Sequence, residues 1–209
     1  MELLYCILIG YALGCINPAA LICKIKKRDI RKEGTHNLGA TNVTLVFGRG
    51  FGVFVMLFDI LKSALAVILC RAIFGYAFAL ASYAALIGGV AAIAGHIFPF
   101  YLKFRGGKGL APFGGLVLAY DPLMFVFLLL LTLVTIIIVN YSFVMPFAGG
   151  ALFCLLATIK NPDIYTFLFS FIAGALIIWK HSSNLVKAKN KKDIKVRDYI
   201  KIHILKKEK

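Results

Sequence analysis

Six apolar stretches dominate the sequence: Leu3 to Cys23, Phe51 to Phe74, Tyr76 to Phe98, Pro122 to Val139, Phe143 to Thr158 and Tyr165 to Trp179. The hydrocarbon core of a bilayer is about 30 Å thick, and a helix rising about 1.5 Å per residue needs about 20 apolar residues to cross it. All six stretches meet or approach that length. A helix satisfies its own backbone within a single segment, which lipid demands, so each reads as a membrane helix. With 61% of its 209 residues hydrophobic and 16% charged, the chain is too apolar for a soluble domain of this size.

A seventh stretch, Leu110 to Tyr120, is too short to cross comfortably, and charge decides how to read it. Lys24 to Gly50 carries +5, Tyr101 to Lys108 carries +3 and His181 to Lys209 carries +7, together the whole net charge of +15. Cytoplasmic loops hold the excess of Lys and Arg, so these three segments belong on the cytoplasmic side. Only an odd number of crossings puts the first basic loop and the tail there together. The pattern predicts an all-α integral membrane protein of about seven transmembrane helices, with the 110–120 helix thinned or tilted, the N-terminus outside and the C-terminus cytoplasmic. A re-entrant helix at Leu110 to Tyr120 is the alternative, and it would leave the tail outside.

Residues 1–186 read as one polytopic membrane domain and 187–209 as a basic cytoplasmic tail. Such a tail adheres to anionic lipid with roughly 1 kcal/mol per basic residue near the surface. The first apolar stretch lacks a basic n-region and a small-residue cleavage site, so a retained helix is expected and not a signal peptide. The five cysteines form no CxxC pair and have no His at metal-ligand spacing. They read as buried small hydrophobes, and no metal is expected.

The polar chemistry gathers in the basic segments. Asp29-Ile30-Arg31 precedes Gly34-Thr35-His36-Asn37-Leu38-Gly39-Ala40-Thr41-Asn42. Glycines let amides approach an anion, and Thr or Asn adds hydrogen bonds; equally, the run suits a tight turn with an N-cap at Thr41 or Asn42. The second cluster is Gly95-His96-Ile97-Phe98-Pro99 followed by Lys103-Phe104-Arg105-Gly106-Gly107-Lys108-Gly109. Glycine-freed amides, a Lys charge, an Arg fork and a helix N-terminus suit phosphate, although the Walker spacing is absent; a flexible basic interfacial loop is the lesser alternative. The third cluster places His181 and Asn184 on one helical face at i, i+3. Here His181 is either an acid, base or phosphate donor, or a helix-terminal His favoured by the macrodipole. Asp59 and Lys62 lie inside a span and read as a mutually neutralising pair, with catalytic duty as the lesser alternative.

Together these residues resemble the bacterial acyl-phosphate glycerol-3-phosphate acyltransferases, from the first helix to the tail. The resemblance is carried by Gly14 to Pro18, Asp29-Ile30-Arg31, Gly34 to Asn42, Asp59-Ile60-Leu61-Lys62, Gly95-His96-x-Phe98-Pro99, Gly106 to Gly109 and His181-x-x-Asn184. Departures are Thr35 for the family's Ser, His36 for Gly, Leu45 for a phosphate-binding Arg, Lys187 for Arg and Asp193 for Glu. Arg31 and Arg49 are the candidates to take over from the missing Arg.

The resemblance implies seven spans and transfer of a fatty acyl group from acyl phosphate to the 1-hydroxyl of sn-glycerol 3-phosphate, in a bacterial cell membrane, without cofactor. Its site residues would be Lys108, His181, Asn184 and Thr35 for catalysis. Asn37, Gly39, His96, Arg105, Gly106, Gly107, Gly109 and Ser142 would bind substrate or phosphate. Membrane lipid and the enzyme that supplies acyl phosphate are the expected partners, and nucleic acid is not. The His-x-x-x-x-Asp signature of other glycerophosphate acyltransferases is missing; His203 and Glu208 have a similar spacing in the charged tail. The Asp-rich Mg²⁺ motif of CDP-alcohol phosphotransferases is missing too. A diverged non-catalytic binder of lipid phosphates, or a small anion transporter, is the competing class.

Overall fold

The computed structural model describes residues 1–74, 81–190 and 195–200, and its described elements are helical. The α-helices are α1 (Glu2–Cys15), α2 (Pro18–Ile25), α3 (Ala40–Phe47), α4 (Arg49–Phe74) and α5 (Ala81–Ile97), followed by α6 (Leu110–Tyr120), α7 (Pro122–Val139), α8 (Val144–Lys160), α9 (Ile164–Lys189) and a short α10 (Val196–Ile200). Five helical segments are long and apolar enough to cross a membrane, while α6 and α8 are shorter apolar helices. The start of the stretch expected from Tyr76, and Asp193, His203 and Glu208, lie outside the described residues. The expected boundary at residue 186 falls within α9, which runs on to Lys189.

The first apolar stretch is not one helix. Pro18 disfavours the α conformation at the residue before it, and Asn17 is extended at φ −119°, ψ 99°. Asn17 then caps α2 by accepting the Ala20 N–H at 2.9 Å, with Pro18 in the first turn, where its missing N–H costs nothing. The break strands carbonyls at the end of α1, and side chains from elsewhere satisfy them. Tyr101 donates to the Cys15 carbonyl at 2.8 Å, and Lys62 Nζ donates to the Ile16 carbonyl at 2.7 Å.

Contacts define two ends of the bundle. At one end Lys108 meets Asn184, Tyr101 meets Cys15, and the Val196 N–H reaches the Asn140 carbonyl. At the other, Arg71 donates to the Tyr120 carbonyl, Lys160 pairs with Asp121, and Asn161 donates to the Tyr120 hydroxyl. The short α6 therefore starts at the basic end and finishes at the opposite one. Its 11 residues rise only about 16 Å, half the thickness of a hydrocarbon core.

Phe113, Leu116, Phe153, Leu86, Ile93 and Ile177 form the buried core between these helices. On α7, by contrast, Leu123, Ile137 and Ile138 are largely exposed, as suits a helix facing lipid. Two buried hydroxyls in the spans are satisfied locally, Thr132 donating to the Leu128 carbonyl and Ser170 to the Thr166 carbonyl, whereas the buried Ser63 hydroxyl of α4 has no hydrogen-bond partner among the described residues. Of the five cysteines, Cys6, Cys15 and Cys70 are buried as expected, whereas Cys23 and Cys154 are half-buried.

Small residues let α1 and α5 touch backbone to backbone, the packing lipid favours when it offers no hydrophobic drive of its own. A β-carbon at Gly10 would stand 2.2 Å from the Gly88 carbonyl oxygen, and one at Gly14 would stand 2.2 Å from that of Ala92. Replacing Gly14 with Leu forces these helices apart, with an expected loss of about 1–3 kcal/mol read as a lower thermal midpoint in detergent. An unchanged midpoint would mean that the two helices do not meet there.

Candidate active site

The first polar loop is organised by Asn42, which is fully buried in the first turn of α3. Its Nδ2 donates to the carbonyls of Ile30 (2.8 Å), Asn37 (2.9 Å) and Glu33 (3.1 Å), and its Oδ1 accepts the Thr35 N–H at 2.7 Å. The cap expected at Thr41 or Asn42 falls instead on Gly39, which makes no side-chain cap bond. Gly34 turns at φ +56°, and a β-carbon there would meet Asn42 Oδ1 at 2.2 Å, so both its conformation and its contact require glycine.

Held this way, Thr35 and Asn37 form a local pair: Asn37 Nδ2 donates to the Thr35 Oγ1 at 3.1 Å and to the Thr35 carbonyl at 3.2 Å. Gly39 packs on the same amide, since a β-carbon there would lie 2.9 Å from Asn37 Oδ1. His36 is exposed and left-handed at φ +59°, a conformation in which the family's Gly would be unstrained. Arg31 is held in a fork by Asp29 at 2.9 Å on both carboxylate oxygens. The Arg31 guanidinium in turn keeps the Asp29 carboxyl below the usual carboxylate range, so the pair is charged at neutral pH. Of the two arginines expected to replace the family Arg, Arg31 is thus already engaged, and Arg49 is exposed beyond Leu45, itself exposed.

The second loop departs from the expectation of free glycine amides. Gly106 donates its N–H to the Ile97 carbonyl and Gly107 to the His96 carbonyl, both at 3.1 Å. These amides are spent within the chain, and the two glycines are needed because the loop lies directly against the end of α5. A β-carbon at Gly106 would be 2.0 Å from the His96 carbonyl oxygen. Gly109 is left-handed at φ +88° and opens α6. His96 itself is buried at 3% exposure behind the loop, with Nδ1 3.3 Å from Asp59 Oδ1 and 3.1 Å from Lys62 Nζ. The Asp59–Lys62 pair expected from sequence is present at 2.7 Å and buried.

What the loop presents outward is the Lys108 side chain. Its Nζ donates to Asn184 Oδ1 at 2.6 Å, across 76 residues of sequence. His181, one turn earlier on α9, is buried, and its Nδ1 donates to the Ile177 carbonyl at 2.8 Å. Because a carbonyl only accepts, a proton is on Nδ1, which makes Nε2 the acceptor whenever the ring is neutral. Arg105 and Ser142 are exposed; the backbone carbonyl of Asn140, two residues before Ser142, accepts the Val196 N–H, and its side chain accepts the Arg197 N–H at 3.0 Å. Between the two loops lies a cavity of about 330 Å³, bordered by Leu38 from the first, Leu102 from the second, and Lys24, Lys27 and Arg28.

Comparison with known proteins decides the assignment. The sequence profile of the glycerol-3-phosphate acyltransferase family matches residues 4–191. The chain belongs to the glycerol-3-phosphate acyltransferase family. The glycerol-3-phosphate acyltransferase of Thermoanaerobacter pseudethanolicus is 36% identical over 179 residues, covering 85% of this chain and 87% of its own. That of Listeria monocytogenes is 35% identical over 191 residues, covering 91% and 94%. A crystal structure of PlsY (YgiH), described as an integral membrane glycerol 3-phosphate acyltransferase in its glycerol 3-phosphate form, superposes with a TM-score of 0.83 at 28% identity, over 93% of this chain and 96% of that one.

Membership in this acyltransferase family gives the Lys108–Asn184 contact its meaning, because it joins two of the segments that carried the resemblance. Two features escaped sequence reading: Asn42 as the hub of the first loop, and the bond from Lys62 to the broken end of α1. The Asn17-Pro18 pair was the available signal for the second. Asn42→Ala removes the hub and Asn42→Asp turns a carboxylate toward three carbonyls. Both should lose about 1–3 kcal/mol, Asp more than Ala, with hydrogen exchange rising across residues 30–39. Unaltered exchange there would refute the hub.

Proposed function

We propose that this acyltransferase uses acyl phosphate as donor and acylates the 1-hydroxyl of sn-glycerol 3-phosphate, forming lysophosphatidate and inorganic phosphate at the cytoplasmic face of a bacterial cell membrane. The observation that carries the reading is Lys108 held by Asn184 at 2.6 Å beside His181, a cation fixed at the basic end of the bundle. PlsY is described in a glycerol 3-phosphate form and in a lysophosphatidic acid form, the second with a TM-score of 0.80 to this chain.

In the reaction the acceptor hydroxyl oxygen attacks the acyl carbonyl carbon, the bond from that carbon to the phosphate oxygen breaks, and phosphate leaves with the electron pair. The hydroxyl proton ends on phosphate. Both substrates are anions, and bringing two phosphates together opposes catalysis unless cations offset the repulsion. Lys108 supplies that charge where it develops on the carbonyl and leaving oxygens. Asn184 fixes the direction of the ammonium, and the Nε2 of His181 is positioned to accept from the acceptor hydroxyl. Thr35 and Asn37 position the acceptor phosphate, and Lys24, Lys27 and Arg28 draw both anions toward the cavity.

No activating cofactor is required, since the acyl phosphate is already a reactive mixed anhydride. The acyl chain stays in lipid, where burial is worth about 0.8 kcal/mol per CH₂ and anchors the donor.

The seven-crossing topology, N-terminus outside and C-terminus cytoplasmic, belongs to the same proposal. It is supported by α6 starting beside Lys108 and ending at Arg71 and Asn161. The bond from Val196 to Asn140 likewise keeps the tail on the side of the α7–α8 turn. Residues 187–209 then form the basic tail at the lipid surface.

Purified protein in lipid, given palmitoyl phosphate and radiolabelled glycerol 3-phosphate, should form lysophosphatidate, and none with palmitoyl-CoA in place of the phosphate. Lys108→Ala should lower kcat by about 10²–10³-fold, the cost of one electrostatic donor. No product from wild type would refute the donor assignment and favour the non-catalytic phosphate binder.

A further inference from the structure

We infer that Asp59 and Lys62 are positioning residues for Lys108, acting through His96 and the backbone of Gly107. The inference rests on Lys108 being the cation that meets substrate phosphate, and it concerns how that cation is held.

The imidazole of His96 is a spacer between two structures. Its Nδ1 edge faces the ion pair, 3.3 Å from Asp59 Oδ1 and 3.1 Å from Lys62 Nζ. Its other edge faces the loop. A β-carbon on Gly107 would stand 2.1 Å from His96 Nε2 and 2.8 Å from Cε1, so the α-carbon of Gly107 rests on the ring. The Gly107 N–H is bonded to the carbonyl of the same histidine at 3.1 Å. Lys108 is the next residue. Any rotation of the His96 ring therefore displaces the backbone from which the Lys108 side chain departs.

The ion pair sets that ring. Asp59 and Lys62 are buried at 2% and 4% exposure, where two charges cost more to desolvate than an apolar pair of the same size. An apolar pair would hold α4 equally well, but it would have no direction. The observed pair takes its direction from the Lys62 ammonium. Lys62 donates to the Ile16 carbonyl at 2.7 Å, which fixes its ammonium against the broken first span, and both that ammonium and Asp59 Oδ1 lie against His96 Nδ1. Four separate segments, the α1–α2 break, α4, the end of α5 and the Lys108 loop, are located by one cluster of three side chains.

The test uses Asp59→Asn and the double variant Asp59→Leu/Lys62→Met, which leaves no unpaired buried charge and opens only the Ile16 carbonyl, so that a folded fraction remains to be measured. Hydrogen exchange over residues 103–109 should accelerate by about tenfold or more in both, while α7 and α8 keep wild-type protection. The Michaelis constant for palmitoyl phosphate should rise by about fivefold or more per folded enzyme, because the cation that binds phosphate is displaced. Asp59→Glu should recover part of both effects, and Gly107→Ala should reproduce them from the loop side.

Wild-type exchange at 103–109 in the folded double variant, or lost activity that merely tracks the folded fraction with an unchanged Michaelis constant, would overturn the inference. The exchange measurement needs no turnover. Accelerated exchange in a wild-type background that transfers no acyl group would leave the positioning intact and remove the assigned reaction instead.

Discussion

The ammonium of Lys62 is the constraint on which the basic end of this bundle depends. A first membrane segment broken at Asn17-Pro18 leaves carbonyls exposed within lipid, where each unsatisfied group costs several kcal/mol. Lys62 closes one of them at Ile16, and its charge is balanced within the same helix by Asp59 three residues earlier. The break is thus tolerated because a buried cation is available, and the buried cation is tolerated because Asp59 and the break receive it. Removing either partner leaves the other as an uncompensated polar group in a low-dielectric interior, which is the expensive case for buried pairs.

That arrangement explains why the chemistry is recessed. The loop carrying Lys108 folds against His96 at the level of Asp59 and Lys62, well along α4 from its start at Arg49. From there the 11-residue α6 needs to cover only the remaining depth, with Gly115 close against the Ile60 carbonyl. A short helix and a sunken cation are two views of one geometry. It sets Lys108 back from the start of α4, and the first loop, tied by Asn42, borders the cavity through Leu38.

Much of this was legible in the sequence. Apolar length located the helices, and the Gly-Gly-Lys-Gly and His-x-x-Asn clusters pointed to residues that the fold joins as Lys108 and Asn184. What could not be read was which hydrogen bonds the loops would spend on themselves. Glycines at 106 and 107 looked like free amides because sequence does not show the carbonyls of His96 and Ile97 that consume them. His96 looked like a ligand because it sits in a polar motif, yet its ring lies behind the backbone. Hydropathy also hid the break in the first span, since Asn17-Pro18 interrupts the helix without interrupting the apolar run.

A structure determined with a non-hydrolysable acyl phosphate analogue bound tests the central claim most directly. The account predicts the donor phosphate within hydrogen-bonding distance of the Lys108 ammonium, with Asn184 still holding the lysine and Thr35 and Asn37 on the acceptor side. A phosphate seated instead among Lys24, Lys27 and Arg28, with Lys108 remote from it, would contradict the assignment of Lys108 as the cation of the site.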